Sequence, residues 1–150
     1  GLAVGAGYYI GALVTTLVIY ITLNTLKRFV AKGNPSRNLY IEADNLSRQA
    51  ADFIGTYDFA SFCAAGSSVE DTVRTVMNAS VEREGDMVIF RVEADGFLYN
   101  MVRIMTGTLI DISRGRIPAD SIKQIIAAKN RFAAGYTAPA RGLYLNKIHY

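Results

Sequence analysis

Hydrophobic residues recur along this chain in two rhythms, preceded by one long stretch with no polar punctuation. Residues 1–26, GLAVGAGYYIGALVTTLVIYITLNTL, carry no charged side chain. As a helix they would reach about 39 Å, against a membrane hydrocarbon core of about 30 Å. Lys27, Arg28 and Lys32 follow at once, the positive flank that holds the remainder of a membrane protein in the cytoplasm. The pattern predicts one helix over 2–28 that inserts in a membrane through 2–26; a fully buried core helix is the soluble alternative. Gly1 and Gly5, and likewise Ala3, Gly7 and Gly11, are spaced as membrane helices space their small contact residues. Gly33-Asn34-Pro35-Ser36 then breaks the chain. This divides it into 1–32, an apolar helix with a basic flank, and 33–150, a separate lobe.

Beyond the break the rhythms are clear. Asp44 suits a helix cap, with Leu46, Ala50, Phe53 and Ile54 on the apolar face. Thr72–Glu84 and Met87–Glu93 flank Glu84-Gly85-Asp86 and read as a hairpin. Within it Val88, Phe90 and Val92 alternate with Ile89, Arg91 and Glu93, giving one core face and one wetter face. The run 97–112 is long, mostly apolar and without proline, and predicts a buried helix. Pro118 suits a first helical turn, and 119–129 continues with Ile122, Ile125 and Ile126 inward. Leu143–Tyr150 alternates again as a final strand. Together these predict an α+β fold, an antiparallel sheet layered by helices.

One residue disturbs the 97–112 helix. Arg103 is a cation in an apolar run, which is costly unless a carboxylate meets it or the side chain reaches water. At helical spacing it shares a stripe with Tyr99, Asn100, Thr106 and Gly107. The opposite stripe is Leu98, Met101, Val102, Met105, Leu109 and Ile112. Thr106 and Gly107 are small enough to let another backbone or a ligand approach, so a partly wet groove around Arg103 is expected.

Composition adds little beyond exclusions. Sixteen basic and thirteen acidic residues leave a net charge of +3, compatible with nucleic acid without demanding it. One Cys and one His cannot supply the four ligands of a structural zinc site. Cys63 reads as a buried structural thiol, and His149 as a surface or locally bonded side chain. No glycine-rich nucleotide loop, Ser-His-Asp set or metal motif is present.

The string Gly96-Phe97-Leu98-Tyr99-Asn100-Met101-Val102-Arg103 resembles a motif in the C-terminal half of the tRNA pseudouridine synthase A family. The likeness continues upstream through Ile54-Gly55-Thr56-Tyr57-Asp58-Phe59-Ala60-Ser61-Phe62-Cys63 and Asp71-Thr72-Val73-Arg74-Thr75-Val76. Downstream it runs through Gly107-Thr108-Leu109-Ile110, Lys129-Asn130-Arg131 and Thr137-Ala138-Pro139-Ala140-Arg141-Gly142-Leu143-Tyr144-Leu145. It covers roughly 34–150. Tyr57, Ser113, Asn130 and Tyr136 depart from the usual His, Gly, Asp and Pro. A second, shorter likeness covers about 1–29, where Ala3-Val4-Gly5-Ala6-Gly7-Tyr8-Tyr9 through Leu26-Lys27-Arg28 resembles the last membrane helix of MgtC/SapB-type proteins. Two likenesses meeting at one loop suggest a fusion.

The synthase resemblance implies an enzyme that isomerises uridine in tRNA to pseudouridine. The glycosidic bond is broken and the base, taken out of its stack, is rejoined through carbon. It implies no cofactor or metal. Arg103 matches the arginine that keeps the family's nucleophilic Asp ionised; Tyr99, Asn100, Gly107, Gly142 and Leu143 match pocket positions. Arg74, Arg131 and Arg141 are the candidate RNA contacts. The nucleophile itself belongs to an Arg-Thr-Asp-x-Gly-Val-His segment that this sequence does not contain. The expectation is one lobe of a two-lobe enzyme, silent by itself, whose partners are tRNA and an N-terminal half. A homodimer is left open. The alternatives are a membrane-tethered RNA-binding module without catalysis, and a membrane-protein remnant with an incidental tail.

Overall fold

The computed structural model describes residues 14–22, 35–85 and 87–149. Five strands and three helices follow one another as β1 (Val14–Thr22), α1 (Pro35–Ala51), β2 (Gly55–Asp58), β3 (Val73–Glu84), β4 (Met87–Ala94), α2 (Met101–Ser113), α3 (Ile122–Ala128) and β5 (Leu143–His149). Single 3₁₀ turns at Ala60–Phe62 and Arg131–Ala133 punctuate the loops. The strands form one antiparallel sheet in the order β2-β3-β4-β1-β5. The architecture is the expected α+β sheet layered by helices.

The hairpin is where alternation places it. Val81 pairs Phe90 and Glu84 pairs Met87, and Gly85 turns the chain at φ +56°, a conformation glycine adopts without a Cβ clash. Val88, Phe90, Val92 and Ala94 are buried on the face that the helices cover, in one core with Leu46 and Ala50 of α1, Phe53 just beyond it and the apolar residues of α2. On the other face Arg91 pairs with Glu82 at 2.7 Å and with Glu84 at 3.7 Å. Phe53 meets the Phe62 ring edge-on at 5.2 Å, an aromatic geometry that adds to simple burial. Ile122, Ile125 and Ile126 of α3 point into the same core, as their spacing predicts.

Several boundaries differ from the sequence expectation. Pro118 lies before α3, which begins only at Ile122 after a turn with Asp120 left-handed, and Ile54 lies beyond the end of α1 and is exposed. Asp44 does not cap a helix: α1 begins at Pro35, so Asp44 is an exposed mid-helix residue. Pro35 itself is the better start signal, because a first-turn residue needs no N–H partner. The α2 helix begins at Met101 rather than Phe97, after a Tyr99-Asn100 turn in which Asn100 is left-handed at φ 58°.

The larger correction concerns the apolar N-terminus. Val14–Thr22 is a strand, not part of a transmembrane helix, and it lies inside the sheet between β4 and β5. Its composition explains this: Val14, Thr15, Thr16, Val18, Ile19, Ile21 and Thr22 are β-branched, and such side chains fit a pleated surface better than a helix. A short run of β-branched residues can be uncharged whether it forms a strand or a helix, so a missing charge does not distinguish the two. No helix among the described residues is long and apolar enough to cross a membrane. The small-residue stripe from Gly1 to Gly11, the basic flank Lys27, Arg28 and Lys32, and the break at Gly33-Asn34 lie outside the described residues.

Candidate functional site

Helix α2 is buried along nearly its whole length; Arg103 and Ser113 alone keep partial exposure. Its small polar stripe explains how a helix can be covered on every side. The segment Gly135–Ala138 lies directly on it as a strap. A Cβ on Gly107 would stand 1.7 Å from the backbone oxygen of Tyr136, and one on Gly135 would stand 2.6 Å from the Thr108 backbone. The two glycines therefore permit backbone to meet backbone. The strap is then fastened at both ends. The Gly135 N–H donates to Thr108 Oγ1 at 2.9 Å, and the Ala138 N–H donates to the Arg103 carbonyl at 3.0 Å.

Arg103 returns the second of these bonds. Its Nε donates to the Ala138 carbonyl at 2.7 Å, and one terminal nitrogen donates to Asn100 Oδ1 at 3.1 Å. Asn100 presents that oxygen from the left-handed turn at the helix start, a conformation Asn tolerates better than most residues. Both acceptors are neutral, and Arg103 makes no ion pair with a carboxylate among the described residues. The guanidinium is thus fixed in direction while its charge is left uncompensated. Tyr99 stands beside it, half exposed.

The strap leads directly to the other expected pocket positions. After Pro139 the chain turns, with the Leu143 N–H donating to the Ala140 carbonyl at 3.0 Å and Gly142 at φ +93°. Leu143 is half-buried at the start of β5, and Arg141 is exposed on the turn. Arg103 and Asn100 are thereby joined to Ala138, four residues before the Gly142-Leu143 turn. Of the two approaches expected at Gly107, the structure shows that of a backbone, the strap's, and Thr106 is buried with its hydroxyl spent on the Val102 carbonyl.

The other arginines are placed less favourably for RNA. Arg74 is only 7% exposed; its guanidinium folds back onto the carbonyls of Asp71 and Val73, and its second terminal nitrogen is buried with no hydrogen-bond partner. Arg131 reaches inward to the Gly135 carbonyl at 2.8 Å and to Thr137 Oγ1 at 3.2 Å, and burial lowers its pKa from the ordinary value. It braces the strap. Arg141 alone of the three lies open to solvent.

Sequence reasoning missed the strap. Gly135 was its one available signal, because a glycine opposite another glycine marks close approach. It also missed two supporting ties. Asp58 accepts from the Thr72 hydroxyl and the Ala60 N–H and faces Lys129 Nζ at 3.5 Å, linking β2 to the end of α3. The Thr72 hydrogen bond is the main reason its carboxyl lies below the ordinary range; the Ala60 N–H and Lys129 add to it against the opposing effect of burial. Gln49, fully buried, exchanges two 2.8 Å hydrogen bonds with Asp120, whose backbone is left-handed. No group of three metal-ligating side chains stands together among the described residues.

The arginine, its neutral fork and the strap belong to a known kind of protein. A model of the tRNA pseudouridine synthase family matches residues 49–150, and the chain belongs to that family. It is 48% identical over 110 residues to the tRNA pseudouridine synthase A of Acetivibrio thermocellus, a match spanning 73% of this chain and 45% of the relative. With the enzyme of Anoxybacillus flavithermus the identity is 53% over 97 residues, 65% of this chain and 39% of the relative. With that of Moorella thermoacetica it is 52% over 105 residues, 70% and 43%. The chain spans less than half the length of these curated relatives. None of these matches supports the MgtC/SapB resemblance of the first residues, nor a fusion.

Proposed function

We propose that this chain is the charge-setting lobe of a tRNA pseudouridine synthase, acting on uridine in tRNA with a nucleophilic Asp that another chain segment supplies. The observation that carries the reading is Arg103: a partly buried guanidinium held by the Ala138 carbonyl and Asn100, facing no carboxylate among the described residues. An opposite charge within about 4–6 Å lowers a carboxylate pKa by about 1–3 units. An Asp docked against Arg103 is thereby kept ionised and ready to attack. Tyr99 and the Gly142-Leu143 turn border the space where the base would lie, and Arg141 is the phosphate contact on its rim. A tRNA-modifying lobe of this kind works in the cytoplasm, with no metal or cofactor required. The membrane-tethered alternative loses its main motive, since Val14–Thr22 is a sheet strand.

The test is complementation. The chain is mixed with transcribed tRNA, alone and with the separately expressed N-terminal half of the Acetivibrio thermocellus relative, and pseudouridine is measured by nuclease digestion and mass spectrometry. The expected result is no product from the chain alone, product from the mixture, and loss of product with Arg103→Ala. Product from the chain alone that Asp58→Ala or Asp111→Ala abolishes would overturn the reading and reveal a nucleophile within this lobe.

A further inference from the structure

The family match begins at residue 49, yet the sheet is completed by a strand well before it. β1 pairs with β4 from Thr15 opposite Ala94 to Thr22 opposite Met87, and with β5 from Val14 opposite His149 to Ile19 opposite Leu143. Among the described residues β5 pairs with no other strand; in the sheet order it is the edge, and β1 is its neighbour. Its own burial is shallow: Leu143, Leu145, Ile148 and His149 are half-buried, while Tyr144, Asn146 and Lys147 are exposed. An edge strand with so little buried surface depends on its ladder for its place. Moreover, the last β1–β5 register pair is Ile19 with Leu143, so the ladder ends at the turn that follows the strap, four residues after the Ala138 that Arg103 holds.

We infer that Val14–Thr22 is the positioning strand of the candidate site: by pairing Ile19 with Leu143 it fixes the Gly142-Leu143 turn that the strap leads into, a task performed by residues outside the family match. The strap is hydrogen-bonded elsewhere. Gly135 and Ala138 are held to α2 by Thr108 and Arg103, and Arg131 ties back to the Gly135 carbonyl. The candidate site therefore has two walls, one hydrogen-bonded to α2 and one to β1. The inference deepens the synthase reading in what the site does, but the tie itself is tested without any activity.

The experiment places a proline in the middle of β1 in the full chain. Proline removes a ladder N–H and is excluded from interior strands. With Val18→Pro, amide hydrogen exchange at 143–149 is expected to accelerate at least 100-fold, while the β3–β4 hairpin and the Ala138 amide keep their protection. The Gly142 and Leu143 resonances should shift, whereas the Arg103 Nε–H signal should not. Unchanged exchange in β5 overturns the inference. A second measurement covers the case in which the proline variant unfolds altogether. Cysteine pairs Val18→Cys with Tyr144→Cys, and Ile19→Cys with Leu143→Cys, are adjacent register pairs, so one of them is a closely spaced non-hydrogen-bonded pair. Mild oxidation should cross-link at least one of them, and leave the off-register pair Val18→Cys with Lys147→Cys reduced. Absence of any in-register cross-link, with or without lipid vesicles, overturns it as well.

Discussion

Two apolar runs in this chain, 14–22 and 101–112, have opposite structures. Each is free of proline and mostly hydrophobic. One is an interior strand and the other a buried helix. The difference lies in what interrupts the grease. Arg103, Gly107 and Asp111 fall four residues apart, a helical period, and each marks a real contact. Arg103 meets the strap end, Gly107 the strap backbone, and Asp111 the arginines at the helix exit, with Arg114 at 3.9 Å and Arg116 at 3.7 Å. The first run has no such marks, only β-branched residues broken by Leu17 and Tyr20. Interruptions at helical period therefore reveal a buried helix, and their absence together with β-branching favours a strand.

The largest expected effect comes from spoiling the mark that lets the strap lie down. Gly107→Val would drive its side chain into the Tyr136 carbonyl, which is backbone and cannot move aside cheaply. A loss of about 3 kcal/mol or more is expected, in the range of severe overpacking, read as a fall in the urea midpoint. A change below about 1 kcal/mol would mean that the strap does not rest on α2.

A smaller effect of defined sign sharpens the other half of the comparison. Replacing Thr15 and Thr16 by Ala, and Val18 and Ile21 by Leu, raises helix propensity while keeping the run uncharged. Strand propensities span about 1 kcal/mol per site, so the quadruple variant should lose about 2 kcal/mol. A helix in that place would instead gain stability, since Ala and Leu outrank β-branched residues there. Circular dichroism and a denaturant melt decide between the signs.

Much of this fold is legible because local pattern and tertiary environment agree. The hairpin, α2, α3 and β5 are all visible in period and turn chemistry. The N-terminal strand is not, because hydropathy alone does not separate strand from helix in an uncharged run with no clear period. The strap is invisible for a different reason: it has no regular structure, and its place depends on Gly107, twenty-eight residues before Gly135. The site was half legible. Arg103 is conspicuous as a cation in an apolar run, whereas nothing in the sequence tells that Arg74 turns inward or that Arg131 braces a loop. Charge pattern identifies cations, and only packing says which of them face solvent.

Acid separates the two regions by a smaller amount. Val14–Thr22 holds no carboxylate, but the loops around α3 are tied through Asp58 to Thr72, Ala60 and Lys129. The folded pKa of Asp58 lies below its ordinary 3.8. The stability it contributes is therefore complete above that value and is lost as pH falls through the folded pKa. Asp58→Asn should cost about 1 kcal/mol at pH 7, the scale of a charge-assisted hydrogen bond partly open to water, and progressively less as pH falls through the folded pKa. A difference that persists undiminished in acid would mean that the side chain acts through shape and not through charge.

The smallest expected effect on stability accompanies the largest expected effect on activity. Arg103→Met keeps the helix propensity and the aliphatic bulk of the side chain. It removes two hydrogen bonds to neutral acceptors. Asn100 is only partly buried and can turn to water, but Ala138 is 3% exposed, so its carbonyl loses a partner at a cost of about 1–3 kcal/mol. Against this, a partly buried cation without a counter-charge no longer has to be desolvated. The two nearly offset, and a thermal melt should show a net change of about 1 kcal/mol or less in either direction. In the complemented enzyme the same substitution removes the charge that keeps the nucleophile ionised, and pseudouridine formation should fall at least about 100-fold, the scale of one lost electrostatic contact at a reacting centre. A melt that loses about 3 kcal/mol or more would match the breaking of a buried ion pair. Arg103 would then already have an acidic partner within this chain, and its task would be to hold the lobe together rather than to tune an incoming carboxylate.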